Sequence, residues 1–328
     1  MTASLRTPVL VDCDTGIDDA MALLYLLACP TVEIVAITSV FGNNTAARCA
    51  HNTLRVLDLA GQTHIPVAVG AEAPLVGDVG YLATHVHGTD GLGDAGLPDL
   101  VTAAPVGLTA TELISRTARA HPGRLRILAL GPLTNLANAL LADAGLVELV
   151  ADVVIMGGAA DAPGNQTPAA EANIVHDPEA ADVVLRASWA TTLVPLDVTM
   201  NEVVTEHHVA QLVAAGTSVA AFVAAITEFY FDHYGVESYG VRRSPCHDAV
   251  AAAVLTGDVV PSVFPMIDVV VDCTGGPGRG ATICDTRGRY RQFAGVAAGN
   301  CRVALRSDGS FPDLLVQRLI ASAVSQSR

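Results

Sequence analysis

The chain has 328 residues, 51% of them hydrophobic, and carries 33 acidic against 18 basic side chains for a formal net charge of −15. It is long enough to bury a sizeable core, and its acidity argues against nucleic acid or an anionic membrane as partner. Every basic position is Arg; the lack of Lys excludes Schiff-base catalysis, pyridoxal phosphate attachment and the Gly-Lys phosphate loop.

The chain opens on a short lead through Pro8 into "VLVD" (9–12), which reads as a buried strand. That leaves no room for a signal peptide, and no apolar run reaches the roughly 18 residues of a membrane span. The seven Cys are scattered without CxxC spacing, as suits a reducing compartment, so the expectation is a soluble cytoplasmic protein. A helix is expected over 18–28, a strand over 32–40 and a helix over 45–60. The run from Gly70 to Leu100 is Gly-rich, contains "THVHGTDGLGDAGLP", and reads as a long loop of the kind that carries function, expected to close over substrate as a lid. Continuous apolar runs at 125–130, 152–157 and 191–196 predict strands covered on both faces, with helical "PLTNLANALLA" and "DPEAADVVL" between them. Strand–helix alternation without a linker or repeat predicts one α/β domain over 1–328, with a mostly parallel, mixed central sheet, helices on both faces and a Rossmann-like core. Ligands of such sheets bind beyond the C-terminal strand ends. Asp12 to Asp19, "FGNN" (41–44), "LGPLTN" (130–135) and "MGGAADAPGNQ" (156–166) all fall there.

Four aspartates, Asp12, Asp14, Asp18 and Asp19, occupy eight positions. Asp18 reads as an N-cap and Asp19 as a dipole partner, which leaves Asp12 and Asp14 unexplained. Four carboxylates on one turn repel each other, and an oxygen-seeking divalent cation relieves the repulsion. The spacing is not that of an EF-hand, because Leu23 stands where the bidentate Glu belongs. "VLVDCDTG" also resembles the haloacid-dehalogenase phosphatase motif, but the balancing Lys is missing. His247 and Asp248 in "CHDAVAAAVL", taken alone, read as a surface His beside an N-cap Asp. Asp177 before Pro178 reads as the cap of the next helix. Asn165, Glu171 and Asn173, in a Gly/Pro-rich stretch after a strand, suit a polyhydroxylated ligand such as a sugar.

Together "DCDTGIDDAMALLYLL", "TSVFGNN", "LALGPLTNLANAL", "VVIMGGA", "GNQTPAAEANIVHDPEAA" and "CHDAVAAA" resemble the inosine–uridine-preferring nucleoside hydrolase family, from near the N-terminus to about residue 256. The resemblance implies hydrolysis of ribonucleosides to ribose and base with a bound Ca²⁺, a single α/β domain, and a homodimer or homotetramer. It further implies that Asp12, Asp19, Asp248 and the Leu130 carbonyl bind calcium together with the ribose diol and a water. Asp14 would be the general base on that water. Asp18 and Asn43 would hold the 2′- and 3′-hydroxyls, with Asn173 at the 3′ side; Asn165 and Glu171 would take the 5′-hydroxyl, and Met156 would line the ribose floor. His247 would be the proton donor to the base, with His87, Tyr230 and Tyr234 bordering the base end. The chain departs from the family at Ala172, where an aromatic is common. Its one Trp, Trp189, precedes a predicted strand and reads as core, so the chain resembles the His-bearing, broader or pyrimidine-leaning branches.

The residue types fit that chemistry. Cleavage passes through an oxocarbenium-like ribosyl that carboxylates stabilise, a carboxylate can deprotonate a cation-activated water, and a His can protonate the poor leaving group. A non-catalytic calcium-dependent nucleoside binder is the competing class; it needs neither Asp14 nor His247.

Overall fold

The computed structural model describes residues 6–99, 101–235, 240–289 and 299–326; Leu100, the last residue of the Gly-rich loop singled out above, lies outside it. The strands are β1 (Thr7–Cys13), β2 (Val32–Ser39), β3 (Val67–Val69), β4 (Leu125–Ala129), β5 (Val150–Met156), β6 (Thr191–Val194), β7 (Val203–Thr205), β8 (Arg243–Pro245), β9 (Met266–Ile267), β10 (Val269–Val271), β11 (Thr282–Cys284) and β12 (Cys301–Val303). The helices are α1 (Ile17–Leu27), α2 (Ala46–Leu59), α3 (Thr84–His87), α4 (Ala110–Ala120), α5 (Thr134–Ala142), α6 (Leu146–Leu149), α7 (Ala172–His176), α8 (Pro178–Arg186), α9 (Leu196–Thr199), α10 (Glu206–Ala215), α11 (Ser218–Tyr234), α12 (His247–Thr256) and α13 (Phe311–Gln326).

Eight strands form one sheet in the order β3-β2-β1-β4-β5-β6-β12-β9, parallel throughout except for β9. Both faces are covered, as the unbroken apolar runs require. Within β1, Val9 and Val11 enter the core packed with α1, α11 and α12, while Leu10 enters the opposite core with α4, α5 and α8. The period-2 alternation of the strand thus feeds two cores at once. Trp189, just ahead of β6, is 6% exposed and packs in the second core, as expected.

The order of the first six strands is that of doubly wound folds. β1 lies between β2 and β4, and the helices that follow β1 and β4 leave to opposite faces, so a crevice opens at the C-terminal ends of these two strands. Asp12 ends up there. The predicted strand over 191–196 stops at Val194, because Pro195 leads directly into the short helix α9.

Candidate active site

The floor of the crevice is made by the end of β1 and the start of α1. Helix α1 begins one residue earlier than expected: Gly16, not Asp18, is its N-cap. Asp19 lies one turn in and reaches back, its Oδ2 accepting from the Gly16 N–H at 2.8 Å. Gly16 is required by crowding rather than by dihedral angle: a Cβ there would lie 2.5 Å from His87 Nδ1 and 2.7 Å from Asn43 Nδ2. The freed Ile17 N–H donates to that same His87 nitrogen at 3.1 Å.

Asp12, Asp14, Asp18, Asp19 and Asp248 are all buried. One oxygen of each of the first four carries an explanation. Asp12 Oδ1 accepts from Thr38 Oγ1 at 2.5 Å and Asn135 Nδ2 at 2.7 Å; Thr38 is its register partner on β2. Asp14 Oδ2 accepts from the Asn43 N–H at 2.8 Å, and Asn43 Nδ2 donates to Asp19 Oδ2 at 3.3 Å. The Tyr230 hydroxyl donates to Asp18. The other oxygen of each, Asp12 Oδ2, Asp14 Oδ1, Asp18 Oδ1 and Asp19 Oδ1, is buried without a hydrogen-bond partner. Burial pushes Asp12 and Asp18 up to about 7 and Asp19 to about 6, with Asp19 also raising Asp18 by repulsion. Asp14 and Asp248 are driven well above the usual carboxylate range by burial and by their acidic neighbours. Orphan carboxylate oxygens in a dry site are costly unless a cation meets them. Oxygens of Asp18, Asp19 and Asp248 lie within 4.8 Å of one another, close enough to hold a metal ion. An all-oxygen set of this kind suits Ca²⁺ or Mg²⁺.

One correction concerns α12. His247 and Asp248 are not a surface His beside a cap: Cys246 is the N-cap, and both side chains are buried. His247 Nδ1 meets Thr199 Oγ1 at 2.7 Å, and Nε2 meets the Tyr234 hydroxyl at 3.2 Å. Burial lowers the ring to about 3, so the imidazole is neutral at rest. Around it stand His87, Tyr230 and Tyr234, with ring centroids 5.6 Å apart for His87–Tyr230, 5.0 Å for Tyr230–Tyr234 and 5.7 Å for Tyr234–His247. His85 and His233, which the sequence did not single out, pair edge to face at 5.8 Å beside them.

The remaining wall comes from the segment after β5. Glu171 caps α7: its carboxylate accepts from the N–H groups of Asn173, Ile174 and Gly158 at 2.9, 3.2 and 2.9 Å. Burial nevertheless raises it to about 7. Asn173 Nδ2 donates to the Leu130 carbonyl at 2.8 Å and contacts Met156, so the two strand ends are stitched together. Asn165, though exposed, accepts from the Ala172 N–H at 3.0 Å. Asp177 caps α8 as expected, and also takes the Leu75 N–H and Thr134 Oγ1.

These groups enclose a cavity of about 380 Å³, within the range of small-molecule sites. Asp14, Asp18, Asn43, His87, Leu130, Met156, Asn165, Glu171, Asn173, Tyr230, Tyr234, His247 and Asp248 all line it. Asp12 and Asp19 lie beneath, against the floor. No Arg reaches the cavity among the described residues. A phosphatase, the rival reading that the missing Lys already counted against, would find no Arg there to balance a phosphate among the described residues. Besides His85 and His233, sequence reading also missed Tyr81, on the cavity wall; its only signal was proximity to "THVHG".

The lid expectation is narrowed. Arg55, 4% exposed, grips the Asp90 carboxylate, Asn52 Oδ1 and the carbonyls of Leu97 and Pro98. Glu72 accepts from the first N–H groups of α2, and Asn135 Oδ1 holds the Ala71 N–H. Both flanks of the 70–100 loop are therefore fastened to the body.

The model of the family described as inosine-uridine preferring nucleoside hydrolase matches residues 9–310. The pyrimidine-specific ribonucleoside hydrolase RihA of Citrobacter koseri is 38% identical over 318 residues, 96% of this chain and 98% of that one. A probable uridine nucleosidase 2 of Oryza sativa is 39% identical over 247 residues, 75% of this chain and 73% of that one. The solved plant nucleoside hydrolase PpNRh1 superposes with a TM-score of 0.89 at 30% identity, covering 97% of this chain and all of the other. The carboxylate floor, the His- and Tyr-lined end and the doubly wound sheet thus occur together in a chain that belongs to the inosine-uridine preferring nucleoside hydrolase family, enzymes that hydrolyse the N-glycosidic bond of ribonucleosides.

Proposed function

We propose that the protein is a Ca²⁺-dependent ribonucleoside hydrolase of base salvage that releases ribose and free base, with pyrimidine nucleosides preferred. The observation that carries the reading is the pairing, across one cavity, of orphaned carboxylate oxygens with a buried His–Tyr cluster. The names of the RihA and uridine nucleosidase relatives support the pyrimidine preference.

Asp19 and Asp248, with the free Oδ2 of Asp12 and the Leu130 carbonyl, would hold the cation. When bound, calcium neutralises the carboxylate repulsion and makes a nearby water more acidic. Asp18 and Asn43 orient the ribose diol, with Asn173 on its 3′ side and Met156 beneath the ring. Asn165 and Glu171 face the hydroxymethyl end. Asp14 takes the proton of the attacking water on its unbonded Oδ1, and its charge stabilises the positive ribosyl. His247 gives a proton to the departing base; Thr199 fixes the ring, and Tyr234 stands at Nε2, within reach of the same proton. His87 and Tyr230 pack against the base. The electron pair of the glycosidic bond leaves with the base, and the water oxygen ends on C1′.

By the same resemblance we take the chain as one folding unit over 1–328, active in the cytoplasm as a homodimer or homotetramer. Among the described residues no helix is long and apolar enough to cross a membrane. Incubation with uridine, cytidine, inosine and adenosine, followed by a reducing-sugar assay, tests the reading. Ribose release fastest with the pyrimidine nucleosides is expected. Tight binding of all four without release would overturn it in favour of a binding protein.

A further inference from the structure

We propose that Tyr81 is a substrate-binding residue whose phenol hydroxyl holds the hydroxymethyl end of the ribose, an assignment that rests on the nucleoside hydrolase reading above. The starting observation is an anomaly. The Tyr81 hydroxyl is buried, lines the cavity, and has no hydrogen-bond partner. A buried, unpaired hydroxyl destabilises a fold, and a Phe would pack as well without that cost. A partner is therefore expected from outside the chain.

The setting says which part of a nucleoside that partner is. The Tyr81 ring lies on His176, centroids 4.5 Å apart and tilted by 39°. His176 is itself held: Nδ1 contacts the Ala172 carbonyl at 2.6 Å, Nε2 the Tyr81 carbonyl at 3.4 Å, and its ring meets Phe41 at 6.0 Å. Tyr81 is thereby carried on α7, the element that also carries Glu171 as its cap. The carboxylates that act on its hydroxyl are those of Glu171 and Asp14. It stands at the Glu171–Asn165 wall, whereas His85, His87, Tyr230, His233, Tyr234 and His247 form a separate aromatic end.

A ribonucleoside presents three functions: a diol on one edge, a base at C1′ and a hydroxymethyl at C4′. The carboxylate floor suits the diol and the aromatic end suits the base. The hydroxymethyl is left for the third wall. Glu171 already accepts three backbone N–H bonds, so a buried phenol that can both donate and accept adds an uncommitted polar group beside it there.

The test compares uridine with 5′-deoxyuridine on the calcium-loaded parent and on Tyr81→Phe. Removing one neutral hydrogen bond should lower kcat/KM on uridine by about tenfold and leave 5′-deoxyuridine unchanged. The thermal midpoint of Tyr81→Phe should equal or exceed that of the parent, since a buried unpaired group has been removed. Equal losses on both substrates, or an unchanged uridine rate, would overturn the assignment. If the parent cleaves neither compound, the hydrolase reading has failed; the same pair of ligands then goes into equilibrium binding. A Tyr81→Phe loss confined to uridine affinity would uphold the contact, and equal affinities in both proteins would reject it.

Discussion

In the proposed mechanism Asp14 and His247 act on opposite sides of the bond to be broken, and their substitution separates the two halves of the chemistry. His247→Ala should slow natural nucleosides by roughly 10²–10⁴-fold, the range of general acid catalysis. A riboside with a good leaving group, such as p-nitrophenyl riboside, needs no proton and should be cut almost normally. Asp14→Ala should cripple both substrates, because water activation is common to them. Steady-state kinetics on the two substrates decides; equal losses for His247→Ala would leave that residue a merely structural support for Asp248. The neutral resting state of the buried imidazole sharpens the point. The ring is not a standing cation, so it must first take up a proton from solvent before it can give one to the departing base.

Two contacts fasten whole elements around the site. Arg55 on α2 is nearly inaccessible and supplies the loop from Asp90 to Pro98 with most of its anchoring. Arg55→Met should destabilise the fold by about 3 kcal/mol, since it strips the guanidinium from Asp90 Oδ2 and from two carbonyls. Urea unfolding measures the loss, and faster amide exchange over residues 88–97 should accompany it. At the far end of α12, Asp258 accepts from Tyr25, Thr256 and Arg318, joining α1, α12 and α13. The Arg318 guanidinium is the largest influence and lowers Asp258 to about 2. A carboxylate depressed in the folded state stabilises above its unfolded value, near 3.9, and that contribution fades as pH falls toward 2. The thermal-midpoint gap between the parent and Asp258→Asn should therefore be full at pH 6 and close between pH 4 and 2. A gap that persists at pH 2 would mean that the contact acts through packing instead.

At the scale of the molecule, the carboxylate floor lies where β1, β2 and β4 meet α1 and α12, so its electrostatics bear on global stability. Exhaustive chelation should abolish activity and lower the thermal midpoint together, and calcium but not zinc should restore both. Full activity in a preparation shown to be metal-free would remove the cation from the account. The absence of Arg from the cavity among the described residues has a consequence at the same scale: with an acidic site in a chain of net charge −15, uridine should be cleaved much faster than its 5′-phosphate, which a paired ribose-release assay checks.

Much of this was legible before any fold. Apolar runs at 9–12, 125–130 and 152–157 carry the period and length of doubly covered strands, because side-chain direction alternates locally along the chain. The Asp-rich turn at 12–19 announces an oxygen-lined site through simple repulsion. What local pattern does not contain is convergence. Asp248 reaches Asp19 only because α12 packs across α1, 229 positions later in the chain, and that packing also buries a His that would otherwise pass for a surface residue. Gly16 rather than Asp18 caps α1 because His87 and Asn43 leave no room for a Cβ there, a constraint imposed from two other segments. Tyr81 gave no signal beyond its place near "THVHG", since an unpaired hydroxyl is a property of surroundings and not of sequence. Periodicity and composition belong to the chain alone; which oxygens share a cation, and which phenol is left without a partner, follow from strand order and helix packing.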